Sequence, residues 1–233
     1  MFQPKAGFHP KDAWFRSADW DTRAQAEFET RVARAKAHYR VQYRRIKAIA
    51  LLNSGNAVKA AAGREILLSI VNSGDVPQFE RVSALSLLGA HLHDIGELDE
   101  AEGYLRRALE MTGANRSGTN GLEAVRLAEI LLARGGTSDL AEAQTLLERH
   151  ADDPPIFVAS RFRMAFAATR VALARGQREE AIDWARAALT YAEAKHSGLA
   201  NHPKLLLAKV DRATRKWLES VASGDRPRDI GQR

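Results

Sequence analysis

Apolar residues recur in steps of three and four through most of this chain. Trp20, Ala24, Phe28, Val32, Ala35, Tyr39, Tyr43, Ile46 and Ala50 trace one such stripe. It predicts an amphipathic helix over about residues 20–52, long enough to be one segment or two, or to carry a dimer seam. Asp19 or Asp21 can cap its start, and Asn53-Ser54-Gly55-Asn56 stops it. A further helix is predicted over 57–71. Leu85, Leu88 and Leu92 then share one helical face, and Ala101, Leu105 and Ala108 share the next. Pro154-Pro155 break the chain and can start a helix over 156–175. Leu206, Val210, Ala213, Trp217 and Val221 form a last stripe, over about 203–222. No stretch alternates apolar and polar residues over strand length, so the expected class is all-α.

Glycine punctuates these helices at a regular interval. Gly55, Gly96, Gly135 and Gly176 are separated by 41, 39 and 41 residues, each between the end of one pattern and the start of the next. A fixed period of this size marks stacked copies of one unit, which offer an extended surface. Gly96 can take the left-handed backbone that a tight helix–helix turn requires. Gly89 and Ala101 are small enough to let two paired helices approach closely.

The clearest unit reads Leu85-x-x-Leu88-Gly89-x-x-Leu92-x-x-x-Gly96-x-x-x-x-Ala101-x-x-x-Leu105-x-x-Ala108. It resembles the tetratricopeptide repeat. Leu85 stands where that family has tryptophan, Leu92 where it has tyrosine, and Gly113 where proline often closes the unit. Weaker copies surround Leu127, Leu131, Gly135, Ala143 and Leu147, and Ala165, Ala172, Gly176, Ala181, Ala185 and Ala188. A turn of Gly135-Gly136-Thr137-Ser138-Asp139 is expected to be about three residues longer than usual. The resemblance covers roughly residues 40–195 and implies an α-α superhelix, a solenoid of about four helical hairpins, with the long N-terminal helix before it and a C-terminal helix as cap. Residues 19–222 form the predicted repeat domain. Residues 1–18, with Phe2, Phe8, Trp14 and Phe15, read as an irregular aromatic arm docked on the body; 223–233 read as a disordered tail.

Charge is distributed unevenly. The formal net charge is +6, and residues 31–64 contain no Asp or Glu but nine cations: Arg31, Arg34, Lys36, Arg40, Arg44, Arg45, Lys47, Lys59 and Arg64. Such a block attracts anionic partners or acidic neighbours within the chain, or forms a solvated helix face. The chain has no cysteine, which excludes disulfides, thiolate metal sites and thiol nucleophiles. No leader-like start or membrane-length apolar run is evident, so a cytoplasmic protein without membrane association is expected.

Catalytic chemistry finds little foothold. His91 and His93 are two residues apart on a helix and point in different directions. Gly113-Ala114-Asn115-Arg116-Ser117-Gly118 lacks the Lys-Ser/Thr pair of a phosphate loop, and Gly-x-Ser-x-Gly is absent. No enzymatic activity and no cofactor or metal are expected. The resemblance instead implies a groove lined by the first helix of each hairpin, at Arg45, Ile49, Ser86, Ala90, His93, Val125, Glu129, Arg163, Phe166 and Arg170. Arg45, Arg163 and Arg170 would grip carboxylates of a protein or peptide, unless they pair with Glu129 or simply solvate the groove. Ile49 and Ala90 stand where the family's carboxylate clamp wants asparagine, so that clamp is not expected. Two other readings stay open. One is a nucleic-acid binder using Arg31, Arg34, Lys36, Arg40, Arg44 and Lys47, with Tyr39 and Tyr43 as stacking rings unless helical spacing buries them. The other is a homo-oligomeric scaffold built through the long helix.

Overall fold

A computed structural model describes residues 13–112, 121–152, 155, 157–197 and 206–225. Eleven helices and no strand occur among the described residues. They fall into two compact units, residues 1–118 and 119–233.

The first unit contains α1 (Ala13–Arg16), α2 (Thr22–Arg34), α3 (Ala37–Leu52), α4 (Ala57–Asn72), α5 (Gln78–Asp94) and α6 (Leu98–Thr112). Two hairpins, α3–α4 and α5–α6, form its body. The leucine ladder is its core: Leu67, Leu85, Leu88, Leu92 and Leu105 are all at most 1% exposed. The second unit contains α7 (Glu123–Arg134), α8 (Thr137–Asp152), α9 (Val158–Ala174), α10 (Arg178–Glu193) and α11 (Arg212–Ala222). Here the hairpins are α7–α8 and α9–α10, with α11 packed on α10. Its core uses smaller side chains. Ala143, Ala165, Ala181, Ala185 and Ala188 have no exposed surface, while Leu218 and Val221 of α11 close that core.

The four periodic glycines sit where the pattern puts them. Gly55, Gly96, Gly135 and Gly176 all adopt positive φ, between 71° and 86°. After α5, the amides of Ile95, Gly96 and Glu97 donate to the carbonyls of His91, His93 and Leu92. After α9, Arg175, Gly176 and Gln177 donate to Val171, Leu173 and Ala172. The two turns are equivalent bond for bond, and each satisfies the carbonyls orphaned at a helix end.

Four expectations change. The helix over 20–52 is two helices, broken at Ala35 and Lys36, whose ψ values are 154° and 139°. Neither proline nor glycine causes the break. Arg40 donates through Nε to the Ala35 carbonyl and through Nη2 to that of Ala33, both at 2.9 Å, and so closes the end of α2. The fold-back lets Arg44 grip Glu29 with two nitrogens, at 2.8 and 2.5 Å. In a straight helix those residues would lie about 22 Å apart. Second, the arm is not wholly irregular, because residues 13–16 form a helical turn. Trp14 and Phe15 dock as predicted, their ring centroids 5.0 and 4.7 Å from Tyr43. Phe2 and Phe8 lie outside the described residues.

Third, the turn at Gly135 is not lengthened. Helix α8 begins at Thr137, so the additional residues before Ala143 are helical. Fourth, the last helix begins at Arg212 rather than near 203. Residues 206–210 are non-helical, and Asp211 caps α11 by accepting from the amides of Ala213 and Thr214 at 2.8 and 2.9 Å. Beyond it Ser223–Asp225 form an ordered turn, with the Gly224 carbonyl accepting from Arg178. The rest of the expected tail lies outside the described residues.

Candidate functional site

Within the first unit, α3 and α5 carry the predicted partner-facing positions. Arg45 donates to Glu80 of α5, 2.6 Å from Nε to Oε2. Glu80 is itself only 3% exposed. Arg45 is therefore engaged inside the fold, where it neutralises a carboxylate that could not be buried alone. Ile49 and Ala90 remain half-buried, while Ser86 is buried and offers little surface. His93 lies 3.4 Å from the Asp94 carboxylate. Its neighbour His91 is held below the usual histidine range, first by burial and then by the Arg64 guanidinium.

Within the second unit, α7 and α9 repeat the same device. Arg163 donates to both oxygens of Glu129, at 2.9 and 2.6 Å. Sequence separations are 35 residues for Arg45–Glu80 and 34 for Glu129–Arg163. In both cases an arginine and a glutamate lock the first helices of successive hairpins, with the polarity reversed. Val125 has no exposed surface, because α8 and α9 cover both flanks of α7. It cannot line a groove.

Arg170 differs from the other two arginines. Its guanidinium lies 5.8 Å from the centroid of Phe166, and no carboxylate partners it among the described residues. Phe162 and Phe166 stack nearly parallel, 6.0 Å apart, and Trp217 of α11 meets Phe166 edge-on at 5.6 Å. All four side chains are half-buried. Phe162, Phe166 and Arg170 are spaced i, i+4 and i+8, so they form one stripe along α9. Phe162 and Trp217 were not among the predicted groove residues. The i, i+4 spacing of Phe162 to Phe166 was the signal for the first, whereas Trp217 is brought in by tertiary packing alone.

The basic block is reorganised by acids from outside it. Arg31 pairs with Glu27 at 2.5 Å and Arg44 with Glu29. Lys47 cannot belong to a surface patch: it is 1% exposed. Its Nζ donates to the carbonyls of Ser17, at 2.8 Å, and Asp19, at 3.4 Å, beneath the rings of Phe28 and Trp20. Tyr39 also departs from expectation. It is 43% exposed, while Tyr43 is packed in the aromatic cluster.

No protein-family model, curated protein or solved structure matches the chain. Among the described residues no helix is long and apolar enough to cross a membrane, and no group of three or more His, Asp or Glu residues could hold a metal ion.

Burial lowers the affinity of Lys47 for its proton, more than nearby Asp19 restores it. In the unfolded chain the lysine returns to its ordinary value near 10.5. Between the lowered folded value and 10.5 the unfolded state thus binds more protons, and stability should rise with pH across that window. Denaturant titrations of wild type and Lys47→Met at stepped alkaline pH test this. The wild type should gain stability relative to the variant as pH rises; a constant difference would show that burial of the charge is not felt.

Proposed function

We propose that the protein is a non-enzymatic adaptor of the tetratricopeptide-repeat type, binding a protein or peptide on the first-helix faces of its hairpins. Two features support the repeat assignment. In each unit one Arg–Glu pair, Arg45–Glu80 or Arg163–Glu129, ties together the first helices of successive hairpins. The turns at Gly96 and Gly176 share one hydrogen-bond pattern. The cytoplasm is the compartment in which we expect it to act.

The observation that carries the binding role is the stripe of Phe162, Phe166 and Arg170 with Trp217 beside it. An eight-residue span of helix is about 12 Å, a length covered by three or four residues of extended peptide. Aromatic and arginine side chains at a rigid, partly desolvated surface supply most of the energy at protein interfaces. Phe166 orients the Arg170 guanidinium from one side and leaves its donors for a carboxylate. The preferred ligand thus places an acidic residue beside an apolar one. Arg45 and Arg163, already engaged by Glu80 and Glu129, act here as braces that hold the first helices in register.

Selection of a displayed random peptide library on the full-length protein, followed by calorimetric titration of the selected peptides, tests this reading. Selected sequences should pair Asp or Glu with a large apolar residue. Phe166→Ala and Arg170→Glu should each weaken them about tenfold or more, a range expected for interface hot spots. Peptides that bind both variants as tightly as the wild type would sink the assignment.

A further inference from the structure

The fold-back between α2 and α3 creates a second surface, chemically unlike the stripe on α9. Of the nine cations in residues 31–64, Arg31, Arg44 and Arg45 are paired with Glu27, Glu29 and Glu80, and Lys47 is buried. Two of those pairings take up Glu27 and Glu29, the acids nearest the elbow in sequence. Arg34, Lys36 and Arg40 remain exposed at its apex, and none has a carboxylate partner among the described residues. Arg40 spends donors on the carbonyls of Ala33 and Ala35. It thereby offsets part of the negative end of α2, and no carboxylate takes up its charge among the described residues. Helix α3 begins at the same apex with no side-chain cap and no acidic residue in its first turn, so its positive end reinforces the cations.

Aromatic rings stand beside these cations in the sequence, at His38, Tyr39 and Tyr43. Tyr39 projects into solvent, 4.0 Å from the ring of His38 and stacked at 5.9 Å on Tyr43. Tyr43 is anchored in turn by Trp14 and Phe15. Tyr39 is therefore a braced ring with open surface, flanked by cations that face no acid. Three cations for phosphates and one supported ring for a base is the chemistry of single-stranded nucleic-acid contact. An acidic peptide would use the charges but has no call on the ring.

We infer that the α2–α3 elbow binds single-stranded nucleic acid, with phosphates on Arg34, Lys36 and Arg40 and a base stacked on Tyr39. This inference stands apart from the peptide reading, since its residues lie in the first unit and the stripe lies in the second.

Fluorescence anisotropy of a labelled oligothymidylate of about fifteen nucleotides, titrated with full-length protein at several salt concentrations, provides the test. Three phosphate contacts predict a log–log salt slope of about −2. Arg34→Gln with Lys36→Gln should lower affinity at least tenfold and flatten the slope to about −0.7. Tyr39→Ala should weaken binding about tenfold at unchanged slope, because it removes stacking without removing charge. Arg212→Gln with Lys216→Gln, the same change in net charge on exposed α11, should leave binding intact. Circular dichroism of every variant checks that the helices persist. Absence of saturable binding by the wild type overturns the inference, as does equal weakening by the two double variants. Insensitivity to Tyr39→Ala, with heparin competing as well as the oligonucleotide, would assign the elbow to polyanions at large and overturn the single-strand reading.

Discussion

Replacing Arg45 by methionine will destabilise the protein by about 3 kcal/mol, although the side chain is nominally a surface arginine. The cost comes from its partner. The Glu80 side chain is 5% exposed and takes its hydrogen bonds from Arg45 at 2.6 and 3.5 Å. Without the guanidinium an ionised carboxylate is left in the interior with neither water nor a countercharge. Breaking a buried pair in this way costs about 3–5 kcal/mol, and the lower end applies because Arg45 keeps 21% of its side chain in water. Converting both residues to methionine should return stability to within about 1 kcal/mol of wild type, since the pair itself contributes little beyond its own desolvation. Arg31→Met, which breaks the exposed pair with Glu27, should cost less than about 1 kcal/mol. Urea denaturation of the four proteins gives the comparison. Equal losses for Arg45→Met and Arg31→Met would mean that Glu80 reaches solvent or another donor once Arg45 is gone.

The same pair marks the boundary of what a sequence reader can see. Local rules were legible. Gly96 ends a helix because glycine adopts its φ of 86° at the least cost, and Leu85, Leu88 and Leu92 declare their shared face by spacing alone. Ala181, Ala185 and Ala188 read as part of a repeat copy for the same reason. What stayed hidden depends on residues far apart in the chain. Residues 31–64 read as an uninterrupted basic block because Glu27, Glu29 and Glu80 lie outside the window. Lys47 reads as a surface charge because the groups that receive it are main-chain carbonyls of Ser17 and Asp19, which any sequence could offer.

The break after Arg34 has the same origin. Its signal is not a helix breaker but Arg40, reaching back seven residues to a carbonyl of α2. Periodicity carried the stripe smoothly through Ala35, and the wrong length for that helix followed. The candidate site was therefore half visible. Phe166 and Arg170 came from the repeat register. The fates of Arg45 and Arg163, and the arrival of Trp217, were set by packing between helices.

Gly89 will respond to alanine in the opposite sense from Gly103, fourteen residues on and across the same hairpin. Alanine is favoured over glycine inside a helix by about 1 kcal/mol. On that ground alone both substitutions should stabilise. A Cβ at Gly103 meets nothing within 4 Å, so Gly103→Ala should gain about 0.5–1 kcal/mol. A Cβ at Gly89 would lie 2.7 Å from Cγ and 2.8 Å from Cδ2 of Leu105, and 3.3 Å from the Ala101 carbonyl oxygen. Leu105 has no exposed surface and nowhere to swing. Overpacking of this kind costs about 1–3 kcal/mol, which outweighs the propensity gain. Leu105→Ala alone should lose about 2–5 kcal/mol by leaving a cavity. Combined with Gly89→Ala it should lose less than the sum, because the new methyl group enters the vacated space, with a coupling of about 1 kcal/mol or more. Thermal and urea unfolding of the three single variants and the double completes the cycle. A Gly89→Ala protein more stable than wild type would show that α5 and α6 are not in the close contact on which the hairpin, and the register of every residue along its first helix, depends.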